Sequence, residues 1–289
     1  MKHDNIFAVD AMPSVEITMR EMLGNGTAAS QACRHLDAGG SRVRARLALD
    51  TARILGLREA ESIAIAAASE LLHNAALVHD DLQDGDTVRR GQPALWARCG
   101  AACAVCAGDL LLSAAYAALA SASTSRTGRV VAVMHQAVAD TIAGQVDDLS
   151  ATSQLSFEQA IDIAGAKSGP LIALPVRLAL ILADIDEDRH VTRAATLLAS
   201  GYQIADDLSD LNGDRLAGRT NIVATLIHAG HSARTARSKT IAYARAQLAA
   251  SRDAAWIIPR KAGAPLAALA DRVETRLPEM RLVEADHAT

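Results

Sequence analysis

Four aspartates crowd the end of an otherwise apolar stretch in "LVHDDLQDGDTVRRG", residues 77–91: Asp80, Asp81, Asp84 and Asp86. Carboxylates one helical turn apart repel each other, so this spacing demands either full solvation or a neutralising cation. The same demand returns in "YQIADDLSDLNGD", residues 202–214, with Asp206, Asp207 and Asp210. On a helix, positions i and i+4 lie about 40° apart in azimuth and i and i+1 about 100°. Each set therefore turns its carboxylates towards one sector. Hard cations such as Mg2+ prefer carboxylate oxygen and, held by only one or two carboxylates, keep positions open for substrate phosphates. Basic residues follow each set, Arg89 and Arg90 after the first and Arg215 and Arg219 after the second. Guanidinium groups bind phosphate oxygens bidentately. Two such sets on different helices are equipment for clamping one diphosphate. The plain alternative, two solvated helix ends rich in aspartate, explains either set alone better than it explains the pair.

A second constellation is weaker. Cys99, Cys103 and Cys106 form C-x3-C-x2-C in an alanine-rich segment, with Cys33 far upstream. Structural zinc wants four ligands, and no fourth stands nearby, so small buried hydrophobes are the better reading.

The elements that must position the aspartates read as helices. Of the 289 residues, 50% are hydrophobic and only 2% aromatic, a composition that favours close-packed helices over sheets. Apolar residues recur at helical spacing over roughly 43–56, 60–82, 98–121, 128–149, 157–183, 190–211 and 234–251. The breaks fall at "DAGGSR", "RRGQP", "SASTSRTG" and "LNGDRLAGRTN", rich in turn residues. No period-two strand pattern stands out. The fold expected is all-α, a single-domain bundle of antiparallel helices spanning 1–289. A net charge of −4 gives no reason to expect nucleic acid. The start "MKHDNIFAVDAM" lacks a signal-peptide apolar run. The best apolar stretch, 171–183, is cut by Pro175 and Arg177, so no transmembrane segment is expected and the chain reads as cytoplasmic.

Several motifs in one order now give a resemblance. "HDDLQDGDTVRRGQP" at 79–93, "AGDLLL" at 107–112, "GQVDDL" at 144–149, "AKSGPL" at 166–171 and "GYQIADDLSD" at 201–210 resemble the trans-polyprenyl (isoprenyl) diphosphate synthase family of short-chain type. The likeness runs from about Gly39 to Val223. It implies an isoprenoid-synthase bundle around a central cavity, acting as a homodimer. The implied reaction ionises an allylic diphosphate, and isopentenyl diphosphate attacks the resulting carbocation, losing a proton as the chain grows by five carbons.

The resemblance also implies roles. Asp80, Asp84 and Asp206 would ligate magnesium, with Asp81, Asp207 and Asp210 as direct or water-mediated support, and about three ions present when diphosphate is bound. Metal and cationic side chains would take up the charge developing on the leaving diphosphate. Arg89 and Lys167 match positions that hold the allylic diphosphate, and Arg219 stands near a usual lysine. Gln203 and Ser168 match polar positions beside the developing cation, although for Gln203 a helix-face hydrogen bond is the bland reading. Lys167, isolated in "IAGAKSGPLIA", is costly to bury without an anion. Arg44, His73 and Arg90 match the pocket for isopentenyl diphosphate; a lone histidine is ordinarily structural, and only its register supports His73.

The departures are specific. Ser41 in "GGSRVR" replaces a lysine that contacts isopentenyl diphosphate, leaving Arg42 or Arg46 as the available compensation, and Trp96 stands where many members have histidine. Ala75 and Ala76, one turn before Asp80, leave the cavity open where aromatics would close it, implying a product of about C20. Met134 and His135 fit core or cavity wall equally. A class I terpene cyclase would use similar acidic motifs, but cyclases steer cations with aromatic faces, which are scarce here. A non-catalytic partner subunit would explain Ser41 but not two complete aspartate sets.

Overall fold

The computed structural model describes residues 10–122, 124–151, 155–186, 189–217 and 221–278, the side chains of 212–217 excepted. Among them run twelve α-helices: α1 (Met12–Leu23), α2 (Thr27–Asp37), α3 (Val43–Leu55), α4 (Glu59–Gln83), α5 (Leu95–Cys99), α6 (Ala101–Ala120), α7 (Thr127–Leu149), α8 (Phe157–Leu182), α9 (Arg189–Ala217), α10 (Ile222–His228), α11 (Ala233–Ile257) and α12 (Ala264–Glu274). The all-α expectation holds. One exception is a short antiparallel hairpin, β1 (Val88–Arg89) against β2 (Gln92–Pro93). Its turn residues Arg90 and Gly91 both have positive φ, 53° and 73°, the left-handed pair that a tight hairpin requires.

Alanine lets the helices approach closely. Ala64, Ala66, Ala67, Ala68 and Ala75 are all buried on α4, whose start is fixed by Glu61 Oε2 accepting from the Arg58 amide at 3.1 Å. Helix α8 is buried on two sides. Leu171, Leu174 and Leu178 join one core cluster with α1, α4 and α6; Ile172, Val176 and Leu180 join another with α9, α11 and α12. A helix apolar all round belongs in the interior, and α8 starts on a capping box, with Ser156 Oγ accepting from Gln159 N. Pro170 and Pro175 lie inside it, each removing one backbone donor.

Two glycines permit close crossings. A Cβ on Gly144 of α7 would stand 2.6 Å from the backbone of Ala166 and Lys167 on α8. One on Gly108 of α6 would stand 2.2 Å from the His79 ring of α4.

Two helices bear on the expectation of no transmembrane segment. Ala101–Ala120 and Phe157–Leu182 are both long and apolar enough to cross a membrane by length and composition. In α8, 72% of the apolar window is packed inside the bundle; in α6, 44%. The four cysteines are free and no disulfide joins them. Cys33, Cys99 and Cys103 are half-buried, whereas Cys106 is exposed, so the reading of buried hydrophobes fails for that one.

Candidate active site

Helix α4 ends where its aspartates begin. Asp80 and Asp81 occupy its last turn and Asp84 caps it. The C-terminal end of a helix carries partial negative charge, so the backbone adds to the repulsion among the carboxylates. Burial pushes the Asp80 carboxyl up to about 6, Lys167 pulling it down and Asp84 pushing it further up. Asp81 behaves differently. It is fully buried and accepts from Arg89 at Oδ1, with Nε 2.7 Å away. Burial raises its carboxyl against that hydrogen bond. Arg89 also reaches Asp86 at 3.5 Å. Trp96 Nε1 donates to the Asp86 carbonyl at 2.7 Å, which ties the hairpin loop to α5.

Lys167 comes from α8. Its Nζ donates to Asp148 Oδ2 of α7 at 2.8 Å and lies 3.9 Å from Asp84 Oδ2. Burial alone would lower the ammonium; Asp80, Asp148 and Asp84 outweigh it and raise it. The Gly144 crossing makes this possible, since Asp148 follows one turn later on α7. Ser168 is half-buried beside Lys167. Gln145 of α7 donates to Gln83 at the end of α4 at 3.0 Å, a second tie between these helices.

On α9, Asp206 is half-buried and paired with Arg276, which follows α12. Burial raises the Asp206 carboxyl and Arg276 opposes it. The Arg276 guanidinium also lies 4.9 Å from the centre of the Tyr202 ring. Asp207 is buried and structural: its Oδ2 accepts from the Ile222 amide at 2.6 Å, and its Oδ1 from Gln203 at 2.7 Å. Asn221 closes the same joint onto the Asp207 carbonyl at 3.0 Å. Asp210 is exposed.

The third part is cationic. Arg44, His73, Arg90 and His35 are close enough to perturb one another. Burial, then Arg44 and Arg90, drive His73 well below the ordinary imidazole range. Burial also lowers Arg44 against Glu70, and Arg44 Nε is buried without a hydrogen-bond partner. The Arg90 guanidinium donates to the Gly39 carbonyl.

The structure thus brings Asp80, Asp84 and Lys167 together, and separately Arg44, His73 and Arg90. It revises four sequence expectations. Asp81 and Asp207 are buried and bonded to protein, so the azimuth argument aims only one or two carboxylates of each set outward. The Gln203 amide is committed to Asp207, the helix-face bond. Arg42 does not replace the lost lysine: it is buried, bonded to Glu16 at 2.6 Å and to the Leu36 carbonyl at 2.9 Å. The second set is not at a helix end, since α9 continues to Ala217. Arg219 lies outside the described residues, as do the side chains of Asp214 and Arg215. Sequence reasoning missed Asp148, which stood in the quoted "GQVDDL", and missed His35 and Arg276, for which no spacing gave a signal.

The donors suit a hard divalent cation: aspartate oxygens at a negative helix end, Asp80 made reluctant to ionise by burial, and one buried oxygen, Asp81 Oδ2, with no partner. Among the described residues no three His, Cys, Asp or Glu side chains form a ready cage. An ion here would take one or two carboxylates and complete its shell with water or phosphate, the coordination habit of magnesium.

The polyprenyl synthetase family matches the chain over residues 27–221. A short chain isoprenyl diphosphate synthase of Methanocaldococcus jannaschii is 32% identical over 189 residues, 64% of this chain and 58% of that protein. The match thus spans less than two thirds of the relative's own length. A geranylgeranyl pyrophosphate synthetase from Geoglobus acetivorans superposes with a TM-score of 0.82 at 23% identity, covering 91% of this chain and 97% of that one. A polyprenyl synthase from Caulobacter crescentus, complexed with calcium and isoprenyl diphosphate, superposes at 0.78 with 23% identity, covering 92% and 94%.

Proposed function

This chain belongs to the polyprenyl synthetase family, and we propose that it is a prenyltransferase that joins isopentenyl diphosphate to an allylic diphosphate. One observation carries the reading: Lys167 set between Asp148 and Asp84 at the mouth of the first aspartate set. A half-buried ammonium among carboxylates is poised to accept a diphosphate that arrives with its own cations. Magnesium, when bound, would screen the charge on the leaving diphosphate. Asp80 and Asp84 on one side and Asp206 on the other would hold it. Lys167, and Arg89 from the hairpin, would hold the phosphate oxygens as the allylic C–O bond breaks and its electron pair leaves with the diphosphate. Arg44, His73 and Arg90 would seat the isopentenyl diphosphate, whose double bond closes the new C–C bond before a proton is lost.

We further infer a product of about C20, because Ala75 is buried and Ala76 half-buried, leaving small side chains one turn below Asp80. The active form would be a homodimer. Helix α6 is apolar enough to span a membrane, yet only 44% of its apolar window is covered within one chain, and exposed Val105, Ile142 and Val146 on α6 and α7 want a partner surface.

The test supplies purified protein with Mg2+, labelled isopentenyl diphosphate and C5, C10 or C15 allylic diphosphates in turn. Labelled prenyl diphosphates support the reading and their length tests the alanine argument. No incorporation with any primer would refute it.

A further inference from the structure

On the β1–β2 hairpin, turned towards α2 and α5, lies a cleft of about 370 Å3 that shares Arg89 and Arg90 with the proposed chemistry but adds Arg34, His35 and Arg98, which that chemistry does not use. Arg34 and His35 line it from α2, Arg89 and Arg90 from the hairpin, and Arg98 from α5. Neither Arg44 nor His73 reaches it. The one carboxylate in its lining, Asp37, is already paired with Arg20 at 2.7 Å. Arg89 is paired with Asp81 and Asp86, and Arg90 rests on a carbonyl. Among the described residues, Arg34 and Arg98 have no carboxylate within ion-pair range. His35 is only 5% exposed, and its Nε2 is buried with no hydrogen-bond partner.

Two guanidinium groups without a carboxylate partner, Arg34 and Arg98, stand in one concave site with Arg90, which rests only on a carbonyl, and with the unpartnered Nε2 of His35; together they form a receptor for an anion. We propose that this cleft is a second diphosphate-binding site, taking inorganic pyrophosphate or the headgroup of a prenyl diphosphate, with Arg34 and Arg98 as its own cations and Arg89 and Arg90 shared with the catalytic side. Concave sites with low-dielectric walls focus the field of such a cluster. The volume falls at the lower end of the small-molecule range, roomier than a single phosphate needs. Diphosphate oxygens meet guanidinium forks bidentately. Burial, then Arg90 and Arg89, hold the His35 ring down at about 4 against a hydrogen bond with Asn74, so it enters as a neutral ring that an arriving anion would make easier to protonate.

Sharing Arg89 and Arg90 couples the two sites. An anion in the cleft competes for those guanidinium groups, Arg90 above all, since Arg89 stays tied to Asp81, and linkage requires that a diphosphate on the catalytic side weaken the cleft equally. This coupling rests on the prenyl-transfer reading; occupancy of the cleft does not.

The test is calorimetric titration of the full chain with inorganic pyrophosphate in EDTA, where the aspartate sets lack metal to hold it. The wild-type protein takes one equivalent in the cleft and a second, weakened by the shared Arg90, in the Arg44–His73 pocket. The double variant Arg34→Gln/Arg98→Gln, confirmed folded by circular dichroism, loses one equivalent or binds it at least about tenfold more weakly. Arg44→Ala/His73→Ala keeps the cleft equivalent. Isopentenyl diphosphate titrates the cleft as pyrophosphate does, because the headgroup is what is recognised, and inorganic phosphate binds more weakly. An Arg34→Gln/Arg98→Gln isotherm matching wild type overturns the proposal, as does a cleft that takes isopentenyl diphosphate but refuses pyrophosphate. Failure of the labelled-product assay with the cleft equivalent intact would sink the synthase reading alone.

Discussion

Arg89 grips a single oxygen of Asp81 from both Nε and Nη2 and leaves the other, Oδ2, buried with no hydrogen-bond partner. Burial raises this unexposed carboxyl, and only the guanidinium favours its ionised form. Arg89→Ala therefore strands a buried charge and destabilises the fold by roughly 3 kcal/mol, measured by urea unfolding. Arg89→Ala/Asp81→Asn recovers part of the loss. If the single variant unfolds at the wild-type midpoint, Arg89 is held for its ligand alone.

The pH dependence of the metal-free protein follows from Asp80. Its carboxyl is raised to about 6 in the fold, burial being the main cause, against about 3.9 in the unfolded chain. The unfolded state thus releases this proton first, and the folded state keeps it. The contribution is stabilising in full below about pH 4 and is lost as pH rises through about 6. Asp80→Asn removes that slope between pH 4 and 6. Mg2+ flattens it in the wild type by favouring the ionised carboxylate. An identical stability profile for Asp80→Asn and wild type across this window would show that Asp80 titrates normally.

Gly144 is the cheapest way to disturb Lys167 from a distance. A methyl there meets the α8 backbone at 2.6 Å, and backbone cannot swing aside as a side chain can. Gly144→Ala should cost roughly 1–3 kcal/mol in thermal or urea unfolding and lower turnover by separating Asp148 from Lys167. Gly128, whose added Cβ would meet nothing within 4 Å, serves as the control: Gly128→Ala leaves turnover unchanged.

Chain length offers the fourth prediction. Ala76 is half-buried, whereas Ala75 packs within the core. Ala76→Phe therefore projects a ring with less strain than Ala75→Phe, which would overpack. The labelled products of Ala76→Phe should be shorter than those of wild type, read by chromatography. Unchanged length would place the floor of the cavity elsewhere.

Much of this was legible in the sequence, for physical reasons that differ by element. The long helices α4, α7, α8 and α11 carry enough turns for their apolar period to show. Helix α1 carries the same apolar period in Met12, Val15, Met19 and Leu23, over only about three turns. The hairpin was invisible, since strands of two residues have no period to read. Glycine at 213 suggested a break that α9 overrides. The aspartate sets announced themselves as a pattern, but which member of each pair faces inward did not. Asp81 and Asp207 are bonded to Arg89 and to the Ile222 amide, partners eight and fifteen residues away. His35 and Arg276 were illegible for a like reason: folding, not spacing, brings them to the hairpin and to Asp206.

The double burial of α8 has a consequence for how the molecule comes apart. Its leucines at 171, 174 and 178 hold one cluster and its residues at 172, 176 and 180 the other. Neither cluster can open without exposing one flank of the same helix, so the two lack separate melting units. Amide exchange in α4 and in α11 should then report one common opening free energy, the behaviour of a single cooperative foldon.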